Sequence, residues 1–258
     1  MIKNKINFLG TGTSSGIPQL GCSCFVCTSS LVENKRQRTS IFLETKKGKK
    51  ILVDAGHDVR NQLLQNKIMY IDGLIITHHH VDHCLAIEEL KYFFFRQENP
   101  IELACTEETY LEMKTMFPFF FSKVNSKLKI TFITQGQYTF LDEQFYFHVL
   151  PHDRHIQTLS FYHEKLVYLI DFSTMDQEYQ KFLQQQDISI FIIEMLRKHP
   201  RSTHHCYYDV LQLMKKFSYQ KAYCVHISHL LEHEGLTEEL KKTKMAIKPA
   251  YDGLKKEY

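Results

Sequence analysis

The chain has 258 residues, 43% of them hydrophobic and including 19 Phe and 14 Tyr, ample apolar material for a sizeable core. Its formal charge of +3 is too small to argue for nucleic acid or an anionic membrane as partner, and no apolar run approaches the roughly 20 residues that span a bilayer. Met1-Ile2-Lys3-Asn4-Lys5 leads straight into a strand-like segment without the apolar stretch of a secretion signal, so a cytoplasmic location is the expectation.

The first predicted strand, Ile6–Leu9, runs into a Gly-rich turn and then Cys22-Ser23-Cys24-Phe25-Val26-Cys27. Seven cysteines is an odd count, and three of them crowd into six residues, which fits a reduced compartment and metal ligation better than a disulfide framework. Three thiolates in this C-x-C-x-x-C cluster want a fourth ligand to close a tetrahedral zinc site. Cys84, Cys105, Cys206 and Cys224 are scattered in apolar or helical context and read as small core residues. Thr13-Ser14-Ser15-Gly16 resembles a phosphate-cradling loop but lacks the spacing and Lys of a P-loop.

Strands are predicted next over Ser40–Glu44 and Ile51–Val53, which makes Lys46-Lys47-Gly48-Lys49-Lys50 a solvated hairpin rather than a nucleic-acid patch. A helix is expected over Val59–Asn66, then a short buried strand, Leu74–Ile76. Out of that strand comes Thr77-His78-His79-His80-Val81-Asp82-His83. His78 and His80 are two apart and point to the same side, while Asp82 and His83 follow where the chain turns and can face a second position. Imidazole and carboxylate suit zinc, manganese or iron.

Helices over Ile87–Phe94, Glu107–Met116, Asp176–Gln186 and Tyr207–Phe217 alternate with strands over Ile101–Ala104, Lys129–Ile133, Phe145–Leu150, Leu159–Tyr162, Leu166–Ile170, Ile188–Ile193 and Ala222–Val225. The aromatic stretches Phe93-Phe94-Phe95 and Phe117–Phe121 read as core. Without repeats, low-complexity linkers or a Pro/Gly-rich break, residues 1–258 read as one domain. Strands in runs that then alternate with helices suggest two sheets covered outside by helices. Pattern alone does not separate that α/β arrangement from other layered folds. His152, Asp171 and His226 each follow a predicted strand, where a layered fold gathers ligands on its rim. His148 is the alternative to His152, but it lies inside its strand.

The pattern T-H-x-H-x-D-H resembles the signature of the metallo-β-lactamase superfamily. That resemblance implies a four-layer αββα sandwich and two divalent metals, zinc, manganese or iron. It assigns His78, His80 and His152 to one metal, Asp82, His83 and His226 to the other, and the Asp171 carboxylate to both. Asp54, after the strand Ile51–Val53, would orient a ligand His by hydrogen bonding. His79 carries no assigned role.

Phe8-Leu9-Gly10-Thr11-Gly12-Thr13-Ser14-Ser15-Gly16-Ile17-Pro18, with the cysteine cluster, resembles the opening of PhnP-type phosphodiesterases. Arg36–Ser40, Asp54-Ala55-Gly56, Phe95-Arg96-Gln97, Leu196-Arg197-Lys198 and Ala250-Tyr251-Asp252-Gly253 extend the resemblance nearly end to end. It implies a structural zinc held by Cys22, Cys24, Cys27 and His229, the last three residues after His226. It also implies a His before the helix Tyr207–Phe217, in Thr203-His204-His205-Cys206, as general acid or phosphate holder; His205 is preferred, with His204 the alternative.

The implied activity is hydrolysis of a small cyclic phosphate ester on ribose by a metal-bridging hydroxide. A phosphorylated sugar is then the substrate, a homodimer the assembly, and neither nucleic acid nor membrane a partner. The rival readings are another hydrolase of the same scaffold (an RNA nuclease, a thioester or lactone hydrolase, a pyrroloquinoline quinone synthesis protein) and a non-catalytic metal-binding accessory protein.

Overall fold

A computed structural model describes residues 3–153, 155–199 and 204–258, so Met1, Ile2 and Thr203 of the readings above lie outside the described residues. The strands are β1 (Lys5–Gly10), β2 (Ser40–Glu44), β3 (Lys50–Val53), β4 (Gly73–Ile75), β5 (Ile101–Cys105), β6 (Leu128–Phe132), β7 (Gly136–Phe140), β8 (Glu143–Asp153), β9 (Ile156–His163), β10 (Leu166–Leu169), β11 (Ile190–Glu194), β12 (Lys221–Val225), β13 (Ile247–Pro249) and β14 (Lys255–Glu257). They form two seven-stranded mixed sheets, ordered β14-β1-β2-β3-β4-β5-β6 and β13-β12-β11-β10-β9-β8-β7.

Strand alternation explains the layers. In Ile51-Leu52-Val53, Ile51 and Val53 join the core between the sheets, while Leu52 faces an outer layer with Val59 and Leu63 of the helix Val59–Gln65. Both faces of each sheet are therefore covered, which is why the central strands are apolar throughout. Phe145, Phe147 and Phe161 fill the middle, their centroids 5.4 to 6.1 Å apart. Behind the second sheet, Tyr179 and Leu183 of the helix Gln177–Gln184 and Val210 and Met214 of the helix Tyr207–Met214 close the fourth layer. The protein has the expected four-layer αββα sandwich.

Chain direction then selects the rim that carries chemistry. β3, β4, β5 and β6 run parallel, as do β10, β11, β12 and β13. β9 is antiparallel to both β8 and β10, so β8 runs with β10. Asp54, Thr77, His152, Asp171, Glu194 and His226 therefore all arrive at or just beyond the carboxyl end of a strand, at one edge of the sandwich. No helix among the described residues is long and apolar enough to cross a membrane.

Several elements depart from the sequence reading. β7, β13 and β14 were not anticipated, nor were the helices Pro118–Val124 and His233–Lys242. The expected helix over Ile87–Phe94 is a 3-10 turn, Ile87–Leu90, followed by a helix Lys91–Arg96. The lysine-rich segment is the β2–β3 turn, with Gly48 at φ +81. Phe94, Phe120 and Phe121 are core, whereas Phe95 and Phe119 are exposed.

Candidate metal centre

The short helix Val81–Cys84 folds the His motif back on itself after β4. Gly56 is what lets it fold so tightly: a Cβ there would lie 1.8 Å from the Asp82 carbonyl oxygen. Ala55 N–H donates to the His83 carbonyl at 2.6 Å, so the turn after β3 and the His motif are laced together. The result brings His78 Nε2 within 3.0 Å of His80 Nδ1, and His152 Nε2 within 3.2 Å of the same atom. Imidazole nitrogens about 2.0–2.1 Å from one cation lie roughly 2.9 to 3.4 Å apart for ligand angles between 90° and tetrahedral. Both separations from His80 Nδ1 fit that geometry.

His152 reaches this place through an irregularity. β8 and β9 lose register between Pro151 and Asp153, so β8 carries one extra residue there, and a bulge of this kind re-aims a side chain. His148 does not reach the cluster. It is buried flat against the Tyr179 ring, centroids 4.1 Å apart, with Nε2 2.6 Å from Asp176 Oδ2.

The second group comprises Asp82, His83 and His226. His83 Nε2 stands 3.3 Å from Asp82 Oδ2 and 3.0 Å from Asp171 Oδ2, and His226 Nε2 lies 3.5 Å from Asp82 Oδ2 and from Asp171 Oδ1. Asp171 also shares a ligand-sized cluster with His78 and His83, which puts its carboxylate between the two groups. Asp54, Asp171 and His226 all have φ between +51 and +63, a left-handed conformation uncommon for non-glycine residues. Such strain concentrates at functional sites.

Two features test whether cations fit here. Both oxygens of Asp171 and both ring nitrogens of His226 are buried without a well-formed hydrogen bond, despite the short separations just given. Orphaned buried polar atoms of this kind cost stability unless something else satisfies them. The electrostatics agree. Burial pushes the imidazoles of His78, His80 and His152 below their ordinary pKa, His152 to about 4, so these three stay neutral and able to ligate. His83 behaves oppositely. Burial disfavours its charge, but Asp82, Asp54 and Asp171 outweigh that and hold its pKa well above normal. Three carboxylates without cations thus keep a proton that metal would replace.

Asp54 sits behind this shell, fully buried. It accepts hydrogen bonds from Thr77 N–H at 2.8 Å and Thr77 Oγ1 at 3.0 Å, and meets His83 Nδ1 at 2.8 Å. That contact keeps the proton on Nδ1 and frees Nε2 for the centre. His79 belongs to no ligand-sized cluster, although it lines the cleft of about 320 Å³ beside them.

The histidine pair before the helix Tyr207–Met214 differs from the preferred reading. His204, not His205, enters the centre: its ring stacks on His226, centroids 5.3 Å apart, and its Nδ1 lies 2.8 Å from Glu194 Oε2 and 3.2 Å from Asp171 Oδ1. His205 is turned away, with Nδ1 donating to the Phe172 carbonyl at 2.9 Å and its ring stacked on Phe172. Sequence reasoning chose by register with the helix, but Cys206 is the helix cap, and what separates the two rings is the closer approach of His204 to Glu194 and the Phe172 carbonyl that takes His205 Nδ1. Glu194 itself was missed. Its signal was an acidic residue closing the apolar strand Ile190–Glu194.

The four expected zinc ligands also converge. Cys22, Cys24 and Cys27 Sγ lie 3.3, 3.5 and 3.6 Å from His229 Nδ1. A tetrahedral zinc with bonds of about 2.3 Å to sulfur and about 2.0 Å to nitrogen separates those atoms by roughly 3.5 Å. The loop is tied to the rim that carries the histidines, because Thr13 N–H donates to the Ile227 carbonyl and Ile227 N–H to the Thr11 carbonyl. Arg36, fully buried, braces the same strap through Thr11 Oγ1 at 2.7 Å and the Ala250 carbonyl at 2.6 Å. Asp252 accepts from Thr11 Oγ1 and Gln37 N–H, so the segments around Arg36 and Ala250 meet in space.

Residues 49–227 match the family model described as the β-lactamase superfamily domain. A crystal structure described as a new diphosphatase from the PhnP family superimposes with a TM-score of 0.91 at 27% identity, covering 99% of this chain and 98% of that one. An octanoyltransferase of Porphyromonas gingivalis is 41% identical over 90 residues, 35% of this chain and 18% of that protein. A coenzyme PQQ synthesis protein B of Stutzerimonas stutzeri is 28% identical over 128 residues, 45% of this chain and 40% of that protein. These matches span well under half the length of the two curated relatives.

Proposed function

We propose, for a chain that belongs to the β-lactamase superfamily and has the metallo-β-lactamase fold, that it is a metal-dependent hydrolase and, more narrowly, a phosphodiesterase acting on a small cyclic phosphate ester. The observation that carries the reading is the pair of ligand groups, His78/His80/His152 and Asp82/His83/His226, with the buried carboxylate of Asp171 between them. Bound divalent cations would activate a water and neutralise charge on the phosphoryl oxygens. The chain's own residues supply the rest. Asp54 fixes the His83 tautomer. Glu194 engages His204 Nδ1, leaving the other ring nitrogen to hold a proton for the departing oxygen. The shared inter-sheet core supports treating the chain as one catalytic domain, and the Cys22/Cys24/Cys27/His229 group is read as a structural zinc site.

The test is purified protein with manganese or zinc, assayed on ribose 1,2-cyclic phosphate 5-phosphate and on bis(p-nitrophenyl) phosphate. Turnover should disappear in Asp82→Ala and His226→Ala; turnover that survives both would overturn the ligand assignment. A second reading, cleavage of a diphosphate bond, is favoured by the likeness to the PhnP-family diphosphatase over nearly the whole chain. A nucleoside diphosphate sugar assayed alongside separates the two.

A further inference from the structure

At the end of the sandwich opposite the metal centre, a cleft of about 720 Å³ gathers Lys5, Lys50, Lys67, Lys221, Lys255 and Lys256 against only two acids, Glu44 and Glu257. The whole chain carries a formal charge of +3, so the excess of positive charge is concentrated in this cleft and the remainder is close to neutral. The strands hold the two places apart. Lys221 opens β12, whose other end, Val225, leads into His226, and those four steps of extended chain span roughly 13 Å.

Strand register builds the cleft. Asn7 lies opposite Phe42 and Lys255, Lys5 opposite Glu44 and Glu257, and Lys50 opposite Glu44, so these side chains share the outer face of the first sheet. The helix Val59–Gln65 covers that face farther along, over Leu52, and ends at Asn66. Past Asn66 the face is open and is lined by Phe42 and Ile68. Among the described residues, Lys67, Lys221, Lys255 and Lys256 form no ion pair, while Glu257 is engaged by Lys3 at 3.6 Å. Ammonium groups crowded in this way repel one another unless an anion sits among them.

A buried amide narrows the anion further. Asn66 Nδ2 donates to the Gln62 carbonyl at 2.9 Å, which turns Asn66 Oδ1 to accept from Asn7 Nδ2 at 2.8 Å. Asn7 is 8% exposed, and its own Oδ1 is left in the cleft wall without a donor. An occupant that satisfies both features carries several negative charges and an N–H or O–H group. Phe42 and Ile68 add apolar surface, and the volume lies within the span of small-molecule sites, about 300–1,000 Å³. We propose that this cleft binds a nucleoside di- or triphosphate, at a site separate from the metal centre. The lysines hold the phosphate chain, and the nucleoside lies on Phe42 and Ile68 with a donor toward Asn7 Oδ1. The site stands whether or not the metal centre cleaves phosphodiesters.

The test is calorimetric titration of the metal-loaded protein with β,γ-imido-ATP, and separately with inorganic tripolyphosphate. One site should persist unchanged in Asp82→Ala, which disrupts the metal centre, and should weaken as salt is added. Lys221→Gln, Lys255→Gln and Lys256→Gln combined should lower its affinity about twentyfold or more. Lys221 and Lys255 are exposed and Lys256 half-buried, so these substitutions leave the fold intact. Asn7→Ala should weaken the nucleotide analogue about fivefold and leave tripolyphosphate unaffected. No binding, or affinity undiminished by the three lysine substitutions, overturns the cleft. Binding lost in Asp82→Ala places the nucleotide at the metals and overturns it as well. Tripolyphosphate bound as tightly as the analogue overturns the nucleoside and the role of Asn7.

Discussion

Replacing Asp54 by Asn isolates the contribution of one buried carboxylate that touches no metal. Asn tolerates the φ of +63 at this position, and it keeps the volume and one carbonyl oxygen for Thr77 N–H. What it loses is the contact to His83 Nδ1 at 2.8 Å, since an amide NH2 turned toward that nitrogen donates where the carboxylate accepted. His83 then favours the tautomer protonated on Nε2, the atom that faces Asp82 and Asp171. Loss of such a supporting partner costs about 10- to 100-fold in metal affinity, or roughly 1.4 to 2.7 kcal/mol. Asp54 is fully buried against His83, whose charge it helps to hold in the metal-free fold, so the substitution also breaks a buried ion pair. The metal-free variant should therefore melt lower than the unaltered protein, and bind metal more weakly as well. Competitive titration against a zinc-sensitive indicator measures the affinity, and thermal melting of the chelator-treated protein measures the fold. Unchanged affinity, or weakening shared equally with the Cys22/Cys24/Cys27/His229 group, would refute the tautomer argument.

Other consequences follow from the same geometry. Gly56→Ala should abolish activity or destabilise the fold by several kcal/mol, because its Cβ meets Asp82 backbone rather than a flexible side chain; urea midpoints and metal content report it. Cys24→Ser should remove about one equivalent of zinc per chain by elemental analysis and lower the melting temperature, since a closed tetrahedral site contributes to folding. Glu194→Gln should reduce kcat about 10²- to 10⁴-fold with metal content retained, whereas a loss of metal would make Glu194 a ligand instead. Metal affinity should rise with pH through the neutral range. His83, held above its ordinary pKa, is protonated there without metal and must lose that proton to ligate, so each unit of acidification costs up to about tenfold. Calorimetry in buffers of differing ionisation enthalpy counts the released proton; none released contradicts the assignment.

Much of the site could be read from local sequence because strand ends advertise themselves. Leu74–Ile76 followed by the His motif, and Leu166–Ile170 followed by Asp171, are apolar runs that stop at a candidate ligand, and the fold puts both ends on one rim. His152 could be placed after its strand, but the bulge that aims it depends on pairing with β9 and has no signature in β8 alone. The choice between His204 and His205 was beyond local pattern for a related reason: Glu194 and Phe172, on other elements, decide which ring turns inward. β13 and β14 are three residues each and carry lysines, so edge pairing rather than apolar periodicity defines them. The helix His233–Lys242 did leave a signal, a capping Glu232 with Leu236 and Leu240 on one face, which the sequence reading passed over.

The account depends on Asp171 standing between two cations, and anomalous diffraction from crystals grown with manganese tests that most directly. It predicts two peaks about 3.5 Å apart, one bounded by His78, His80 and His152 and the other by Asp82, His83 and His226, with an Asp171 oxygen reaching each. A single peak, or two peaks that Asp171 does not join, would contradict it.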